Sequence, residues 1–223
     1  MTTTSPTIAD QVDTMHQQPA GQLPADVADV FHKEQRDLAA GGLPAGIASA
    51  GTAMPDGKLL DVHGGPTTLA EARAGKPAVV VFYRGAWCPY CNIALRTYQT
   101  QLLPELTSRG IALVALSPQT PDGSLSIQQT KELTFTVLSD PGNQIAGGLG
   151  ILTAPSDAAR QTQAKLGLDL TAVNADHTHG LPMPTVVIVD AAGTIRWIDV
   201  HPDYSTRTEP AEILDTLIAL DRQ

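Results

Sequence analysis

The two cysteines of this 223-residue chain both lie in one short stretch, residues 85 to 91, which reads GAWCPYC. Two residues separate Cys88 from Cys91, and this spacing permits a small disulfide ring. Two thiols at this distance could form a redox couple, or they could supply half of a tetrahedral metal site. The neighbouring elements help to distinguish these roles.

A buried strand is predicted immediately before the cysteines, because residues 77 to 83 read PAVVVFY. A helix is predicted to begin near Cys88, with Pro89 in its first turn, where no backbone donor is needed. Unpaired amides and the positive end of the helix dipole favour a thiolate at that position. We therefore predict that Cys88 is the attacking thiolate and that Cys91, one turn further along and less exposed, is the resolving thiol.

Two neighbours of the cysteines are candidate substrate-binding residues. Arg84 could add positive charge beside the thiols, although a surface arginine paired with an acidic side chain fits the sequence equally well. Trp87 could cover the thiol and offer a flat apolar surface to a partner, or it could be an ordinary core residue.

Strands and helices alternate through the rest of the chain. Apolar segments predict strands over residues 111 to 117 and 134 to 140, and a hairpin over residues 181 to 200. Helices are predicted after Cys91 to about residue 109, interrupted at Pro104, and again from about residue 210. This order predicts an α/β fold with a central mixed β-sheet and helices on both faces, and it places the cysteines at the carboxyl end of a strand.

The N-terminal part differs from the rest in composition. We predict that residues 1 to 50 form an N-terminal helical extension and that residues 51 to 223 form one domain. Residues 1 to 22 are expected to be mobile. Residues 23 to 40 are expected to form an amphipathic helix whose apolar stripe contains Val27, Val30, Phe31 and Leu38.

The charge of the chain restricts its partners. A net charge of -9 and a pI near 4.9 oppose binding to nucleic acid or to an anionic membrane surface. The sequence shows no apolar segment of signal-peptide or membrane-spanning length, so a cytoplasmic location is predicted. Thiols are kept reduced there, and a disulfide between these cysteines would accordingly be transient and catalytic.

The segment WCPYC after an apolar strand resembles the active-site turn of the thioredoxin superfamily, and CPYC is the glutaredoxin form. From about Gly51 to Leu220 the chain is most similar to the peroxiredoxin-like branch, the AhpC/TSA family. This resemblance implies a thioredoxin-like fold. The segment MPTVVIVD resembles the later strand of that fold, which implies that Pro184 is cis and that Met183 offers backbone groups to a bound thiol partner.

The chain departs from the peroxiredoxin pattern at three positions. Alignment from the end of the strand places the peroxide-attacking cysteine of that family at Cys91. The proline and threonine of its motif are then replaced by Arg84 and Cys88, and its catalytic arginine by Pro184. Groups that position and polarise a peroxide in that family are thus absent, so the residues favour thiol–disulfide exchange.

Three functional hypotheses follow. The favoured one is a thiol–disulfide oxidoreductase that needs no cofactor and acts on a protein or small-molecule thiol or disulfide. The second is a peroxidase that reduces hydroperoxides and is recycled by a thioredoxin-like electron donor. The third is a metal or iron–sulfur module, for which His177 and His179 are the only paired candidates.

The remaining polar features are given structural interpretations. His16, His32, His63 and His201 show no informative spacing and are expected to have structural or surface roles. The segment HPDYSTR, residues 201 to 207, could border the cysteines, but a plain connecting loop is favoured. The sequence indicates no particular oligomeric state.

Overall fold

The computed structural model describes residues 5–18 and 23–222. A seven-stranded mixed sheet runs through the molecule in the order β2-β1-β5-β4-β3-β8-β9, and β6 pairs with β7 in a small separate sheet. The strands are β1 (Leu59–Leu60), β2 (Pro66–Thr67), β3 (Ala78–Phe82), β4 (Ala112–Ser117), β5 (Thr136–Ser139), β6 (Leu152–Thr153), β7 (Leu181–Pro182), β8 (Thr185–Val189) and β9 (Ile195–Val200).

Strand β3 lies inside the sheet, and all five of its residues are buried. It pairs in parallel with β4 and antiparallel with β8, so both of its edges are hydrogen-bonded. Val79 and Val81 face one apolar cluster, while Val80 and Phe82 face another on the opposite side of the sheet. Burial on both faces explains why the segment is continuously apolar rather than alternating.

Helices cover both faces of the sheet, as predicted. They are α1 (Ile8–Gln17), α2 (Ala25–Gly41), α3 (Leu69–Arg73), α4 (Pro89–Thr97), α5 (Leu103–Ser108), α6 (Pro121–Thr130), α7 (Gln144–Gly148), α8 (Asp157–Lys165), α9 (Leu170–Val173) and α10 (Pro210–Leu220). Helices α1, α4, α5, α6 and α10 supply buried residues to the cluster on the Val79 side, whereas α3 and α7 supply the other. A π-helical turn, Tyr98–Leu102, separates α4 from α5, so the predicted interruption near Pro104 is confirmed.

The expectation that residues 1 to 22 are mobile is wrong for α1; residues 1 to 4 and 19 to 22 lie outside the described part. A capping box between Thr7 and Asp10 begins this helix. Ile8 and Val12 bury against the α4 side of the core. The Glu209 carboxylate accepts hydrogen bonds from the backbone amides of Ile8 and Ala9, both at 2.9 Å. This anion at the helix N-terminus fixes α1 to the domain.

The predicted helix over residues 23 to 40 is confirmed as α2, with one difference. The predicted apolar stripe is only half-buried, and the buried residue of α2 is the acidic Glu34. Within the described residues, no helix combines the length and the apolar character needed to cross a membrane. The boundary at residue 50 and the cytoplasmic location stay predictions.

Candidate active site

The two thiols lie where β3 leads into α4. Cys88 is the N-cap residue of α4, Pro89 occupies the first turn, and Cys91 follows one turn along. Both cysteines are free thiols. Their exposed fractions are only 1% for Cys88 and 0% for Cys91. The expectation that the Cys88 sulfur is reachable is therefore wrong, because neighbouring segments cover both side chains.

The sulfur of Cys91 collects the favourable contacts of the site. The Nη2 atom of Arg207 lies 3.1 Å from it, and the backbone amide of Arg84 donates to it at 3.4 Å. A protonated Cys88 thiol also stabilises negative charge on the Cys91 sulfur and lowers its pKa. Arg207 is further from Cys88, with its Nη2 atom 4.0 Å from that sulfur. The favourable contacts of the site are therefore concentrated at the Cys91 sulfur and are not shared equally by the two thiols.

The two thiols consequently have opposite pKa shifts. Burial raises the pKa of Cys88 well above its ordinary value, and the bond to an ionised Cys91 raises it further. Burial also disfavours ionisation of Cys91, but the Cys88 hydrogen bond, the Arg207 charge and the Arg84 amide outweigh it. The pKa of Cys91 therefore lies well below its ordinary value. This geometry favours thiolate at Cys91, opposite to the sequence prediction.

Arg207 belongs to the loop of residues 201–208, whose first seven residues are the segment HPDYSTR that is expected to be a plain connecting loop. That interpretation is wrong, because this loop closes over the thiols. Its own carbonyls hold the arginine: Nη1 donates to the Tyr204 carbonyl at 2.6 Å and to the Thr206 carbonyl at 2.5 Å. The buried hydroxyl of Tyr98 donates to the Thr208 carbonyl at 2.7 Å, which ties the loop to the helical layer.

A second set of hydrogen bonds shapes the start of the same loop. His201 Nε2 lies 2.9 Å from a carboxylate oxygen of Asp199, and its Nδ1 lies 2.7 Å from the Thr206 hydroxyl. The Thr208 hydroxyl donates to the same Asp199 oxygen at 2.7 Å. His201 thus has the structural role expected of it, and that role supports the residue next to Arg207.

Arg84 lies beside the thiols but is not a surface residue. Its exposed fraction is 5%, and its guanidinium carbon lies 3.8 Å from the ring centre of Tyr204 and 5.2 Å from that of Trp87. Both contacts are cation–π interactions. The surface ion pair considered for Arg84 is therefore wrong, and its positive charge lowers the pKa of Cys91. Half-buried Trp87 packs beside this arginine.

The turn between β3 and α4 is held by side-chain hydrogen bonds. Gln119 accepts from the Ala86 amide at 2.8 Å and donates to the Tyr83 hydroxyl at 3.2 Å. The Asn92 amide donates to the Ala86 carbonyl at 3.0 Å. Burial raises the pKa of Tyr83 to about 12, so that hydroxyl remains protonated at neutral pH. The turn is thus fixed before any substrate arrives.

Tyr90, between the two cysteines, contacts the N-terminal helices. Its hydroxyl lies 3.1 Å from His16 Nε2 on α1 and accepts from Gln35 Nε2 on α2 at 3.3 Å. The ring of His16 also meets the Tyr90 ring edge-on, with ring centres 5.8 Å apart. The N-terminal helices therefore contact the residue that lies between the two cysteines in the chain. No motif in the sequence marked these contacts.

The predictions for Met183 and Pro184 are not confirmed by the geometry. The described residues contain no cis peptide bond, so the expectation that Pro184 is cis is wrong. The amide of Met183 donates to the Ile151 carbonyl at 2.8 Å, and its carbonyl accepts from the Thr185 hydroxyl at 2.9 Å. Both backbone groups of Met183 already have partners, because its segment pairs with β6.

The metal hypothesis finds no support. No group of three or more His, Cys, Asp or Glu side chains is arranged to hold a metal within residues 5–18 and 23–222. His177 contacts the Thr171 carbonyl at 2.9 Å, and His179 lines a cavity together with Asp169 and Arg160, away from the thiols. The paired histidines thus lie in a polar loop and do not complete a site with the thiols.

The mixed sheet and the dithiol at the end of β3 define a thioredoxin-like dithiol protein. The model of the AhpC/TSA family matches residues 50–198, and the chain belongs to that family. The predicted family and the predicted fold class are both confirmed. Arg207 and Tyr204 follow the matched region, and α1 and α2 precede it.

Known relatives carry the name peroxiredoxin. The chain is 32% identical over 106 residues to "Putative peroxiredoxin bcp" of Haemophilus influenzae, covering 46% of this chain and 65% of that protein. It is 29% identical over 107 residues to chloroplastic peroxiredoxin Q of Sedum lineare, covering 48% and 55% respectively. The matches span 62 to 65% of the length of the first curated relatives.

Solved structures share the fold. The crystal structure of reduced Prx3 in complex with H2O2 from Vibrio vulnificus aligns with a TM-score of 0.62. The alignment covers 77% of this chain and 99% of that one at 18% identity. Since identity is this low, the likeness concerns the fold alone.

Proposed function

We propose that this protein is a thiol-dependent peroxidase in which the Cys91 thiolate attacks a hydroperoxide and Cys88 is the resolving thiol. The observation that carries the proposal is the contact of 3.1 Å between Arg207 and the Cys91 sulfur. An ionised sulfur beside a fixed cation is a nucleophile at neutral pH, and the same cation can stabilise charge that develops on a peroxide oxygen. This assignment reverses the cysteine roles predicted from the sequence.

Arg207 can take the role of the catalytic arginine that peroxiredoxins carry at the position of Pro184. Pro184 occupies the family's arginine position, but the loop after β9 brings a different arginine to the sulfur. The group that polarises the substrate would thus come from another segment of the chain. Membership in the AhpC/TSA family supports the same reaction class.

The reaction balances with the two thiols present. The Cys91 thiolate attacks one oxygen of ROOH, the O–O bond breaks, and Cys91 becomes a sulfenic acid. The departing RO⁻ takes the proton of Cys88 and leaves as ROH. The resulting Cys88 thiolate attacks the sulfenic sulfur, a disulfide forms, and hydroxide leaves and is protonated by solvent. Two electrons from an external thiol donor then restore the dithiol.

Burial favours a small substrate over a protein disulfide in the oxidation step. Both sulfurs are almost fully covered, so a hydroperoxide needs only a narrow opening, whereas a protein partner needs the cover to move. We propose that recycling by a thioredoxin-like donor follows such an opening. The acidic net charge argues against nucleic acid or an anionic membrane as partner.

A single-turnover experiment tests the proposal. Because the chain has two cysteines, each single variant retains one thiol, and any thiol oxidation in it can be assigned to that residue. Reduced wild type, Cys88→Ser and Cys91→Ser are each mixed with one equivalent of hydrogen peroxide and followed by mass spectrometry of the intact chain. We expect a disulfide in wild type, a persistent sulfenic acid in Cys88→Ser, and no rapid oxidation in Cys91→Ser. Rapid oxidation of Cys91→Ser with an inert Cys88→Ser would overturn the proposal.

Thiol–disulfide exchange is the second candidate, favoured by the position of Cys88 as N-cap of α4 with Cys91 one turn away. In this reaction Cys88 would form the mixed disulfide and Cys91 would release it. An excess of a small disulfide separates the candidates. A stable mixed disulfide on Cys88 in Cys91→Ser, formed faster than any peroxide reaction of Cys88→Ser, favours exchange.

A further inference from the structure

Helix α2 buries an acidic residue in the neighbourhood of the dithiol. The exposed fraction of Glu34 is 7%, and its two carboxylate oxygens have different partners. One accepts from the Tyr204 hydroxyl at 3.0 Å, and the other accepts from the Ser156 amide at 2.8 Å. A buried carboxylate is costly unless it is hydrogen-bonded in this way. An apolar residue would bury the same surface with a smaller desolvation cost, so packing alone does not explain an acid at this position.

Tyr204, the partner of Glu34, touches both arginines that face the thiols. Its ring lies 3.8 Å from the guanidinium carbon of Arg84. Its carbonyl accepts the hydrogen bond of 2.6 Å from Arg207. A shift of Tyr204 would therefore disturb the two positive charges of the site at once.

The hydrogen bond to Glu34 acts on Tyr204 in two ways. It fixes the rotation of the Tyr204 ring and the distance of the 201–208 loop from the thiols. It also draws the phenol proton toward a carboxylate, which enriches the ring in electrons and strengthens its attraction for the Arg84 cation. The carboxylate is anchored from the other side by the N-cap of α8, so it is a rigid support.

We propose that Glu34 and Tyr204 are positioning residues, which hold Arg84 and Arg207 against the Cys88–Cys91 pair. This inference deepens the proposed function and rests on it, because the arginines matter through the Cys91 thiolate. It also makes α2, which lies outside the family-matched residues 50–198, an integral part of the active site.

The test uses the full chain in a Cys88→Ser background, so that Cys91 alone titrates. The thiolate absorbance of Cys91 is followed against pH in this parent and after adding Glu34→Gln or Tyr204→Phe. We expect each substitution to raise the pKa of Cys91 by about one unit, which is about a tenfold loss of thiolate at any pH below both pKa values. Glu105→Gln removes an exposed acid and is the matched control, with no expected shift.

The direction of the shift distinguishes positioning from simple charge. Removing a negative charge by Glu34→Gln would, through space alone, make the thiolate easier to form and lower the pKa of Cys91. The positioning role predicts a rise instead. Tyr204→Phe changes no charge and keeps the ring in place, so it gives a second reading if Glu34→Gln does not fold.

Three other results would overturn either this inference or the proposed function. A pKa equal to that of the parent in both variants would overturn the inference, even if both variants were less stable, and would leave the proposed function intact. A fall in Glu34→Gln with no change in Tyr204→Phe would also overturn it. A parent with an ordinary thiol pKa would overturn the proposed function, and this inference with it.

Discussion

Replacing Arg207 by glutamine should remove the positive charge that contacts the Cys91 sulfur. At 3.1 Å and an effective dielectric constant of about 20, two full charges attract by about 5 kcal/mol. The cost of desolvating both groups offsets part of this energy, and one opposite charge nearby lowers a pKa by about one to three units. We therefore expect Arg207→Gln to raise the pKa of Cys91 by about two units, which is about 100-fold less thiolate at low pH.

The thiolate absorbance of Arg207→Gln is measured against pH in the Cys88→Ser background. Arg222→Gln, at an exposed residue near the end of the chain, removes the same charge away from the site and should leave the pKa unchanged. The Arg84 amide and the helix N-terminus remain in Arg207→Gln, so the pKa of Cys91 should stay somewhat depressed. An Arg207→Gln curve within about half a unit of the control curve would refute the role given to this contact.

Three further predictions concern the turn, the loop and the titration of the fold. A Cβ atom at Gly85 would lie 2.4 Å from Nε1 of Trp87, so Gly85→Ala should displace the indole, change the tryptophan fluorescence and cost about 1–3 kcal/mol. Gly41→Ala has open space and serves as its control; equal spectra for the two variants would contradict the packing described. Tyr98→Phe leaves the Thr208 carbonyl without its donor and should lower the free energy of unfolding in urea by about 1–3 kcal/mol, whereas an unchanged midpoint would contradict the anchoring of the loop. Because folding lowers the pKa of Cys91, its ionisation stabilises the folded state. This stabilisation is fully present above the pKa of the unfolded thiol, about 8.5, and is lost as the pH falls through the pKa of the folded state. As the pH rises between those two pKa values, the free energy of unfolding of reduced wild type should increase by up to about 1.4 kcal/mol per pH unit relative to that of Cys91→Ser. Parallel curves of unfolding free energy against pH for the two proteins would contradict an ionised Cys91 in the folded state.

The parts of the fold that follow from local sequence could be predicted. The continuous apolar run of β3 and the hairpin of β8 and β9 appear where the sequence places them. A capping box between Thr68 and Glu71 begins α3, and its Thr-x-x-Glu spacing can be read from the sequence. The placement of the cysteines at the end of β3 could also be predicted, because the strand, the turn and Pro89 are adjacent in the chain.

The contacts that set the chemistry are distant in sequence and leave no local pattern. Arg207 lies 116 residues after Cys91, in a polar segment with no periodicity. The choice of thiolate depends on this arginine, so dipole arguments about α4 alone selected Cys88. Glu34 occupies a position of the predicted apolar stripe, seven residues after Val27 and four before Leu38, but its buried partner Tyr204 is distant in sequence. The docking of α1 depends on Glu209, which lies 201 residues after Ile8, so nothing local in the sequence indicates it.

The most direct test of the account compares the thiolate titrations of reduced Cys88→Ser and Cys91→Ser, the two variants that each retain one sulfur. The account predicts a thiolate with a pKa well below the ordinary range in Cys88→Ser. It predicts that Cys91→Ser forms thiolate only at or above the ordinary thiol pKa, because burial opposes ionisation of Cys88. A low pKa in Cys91→Ser together with an ordinary one in Cys88→Ser would contradict the central claim.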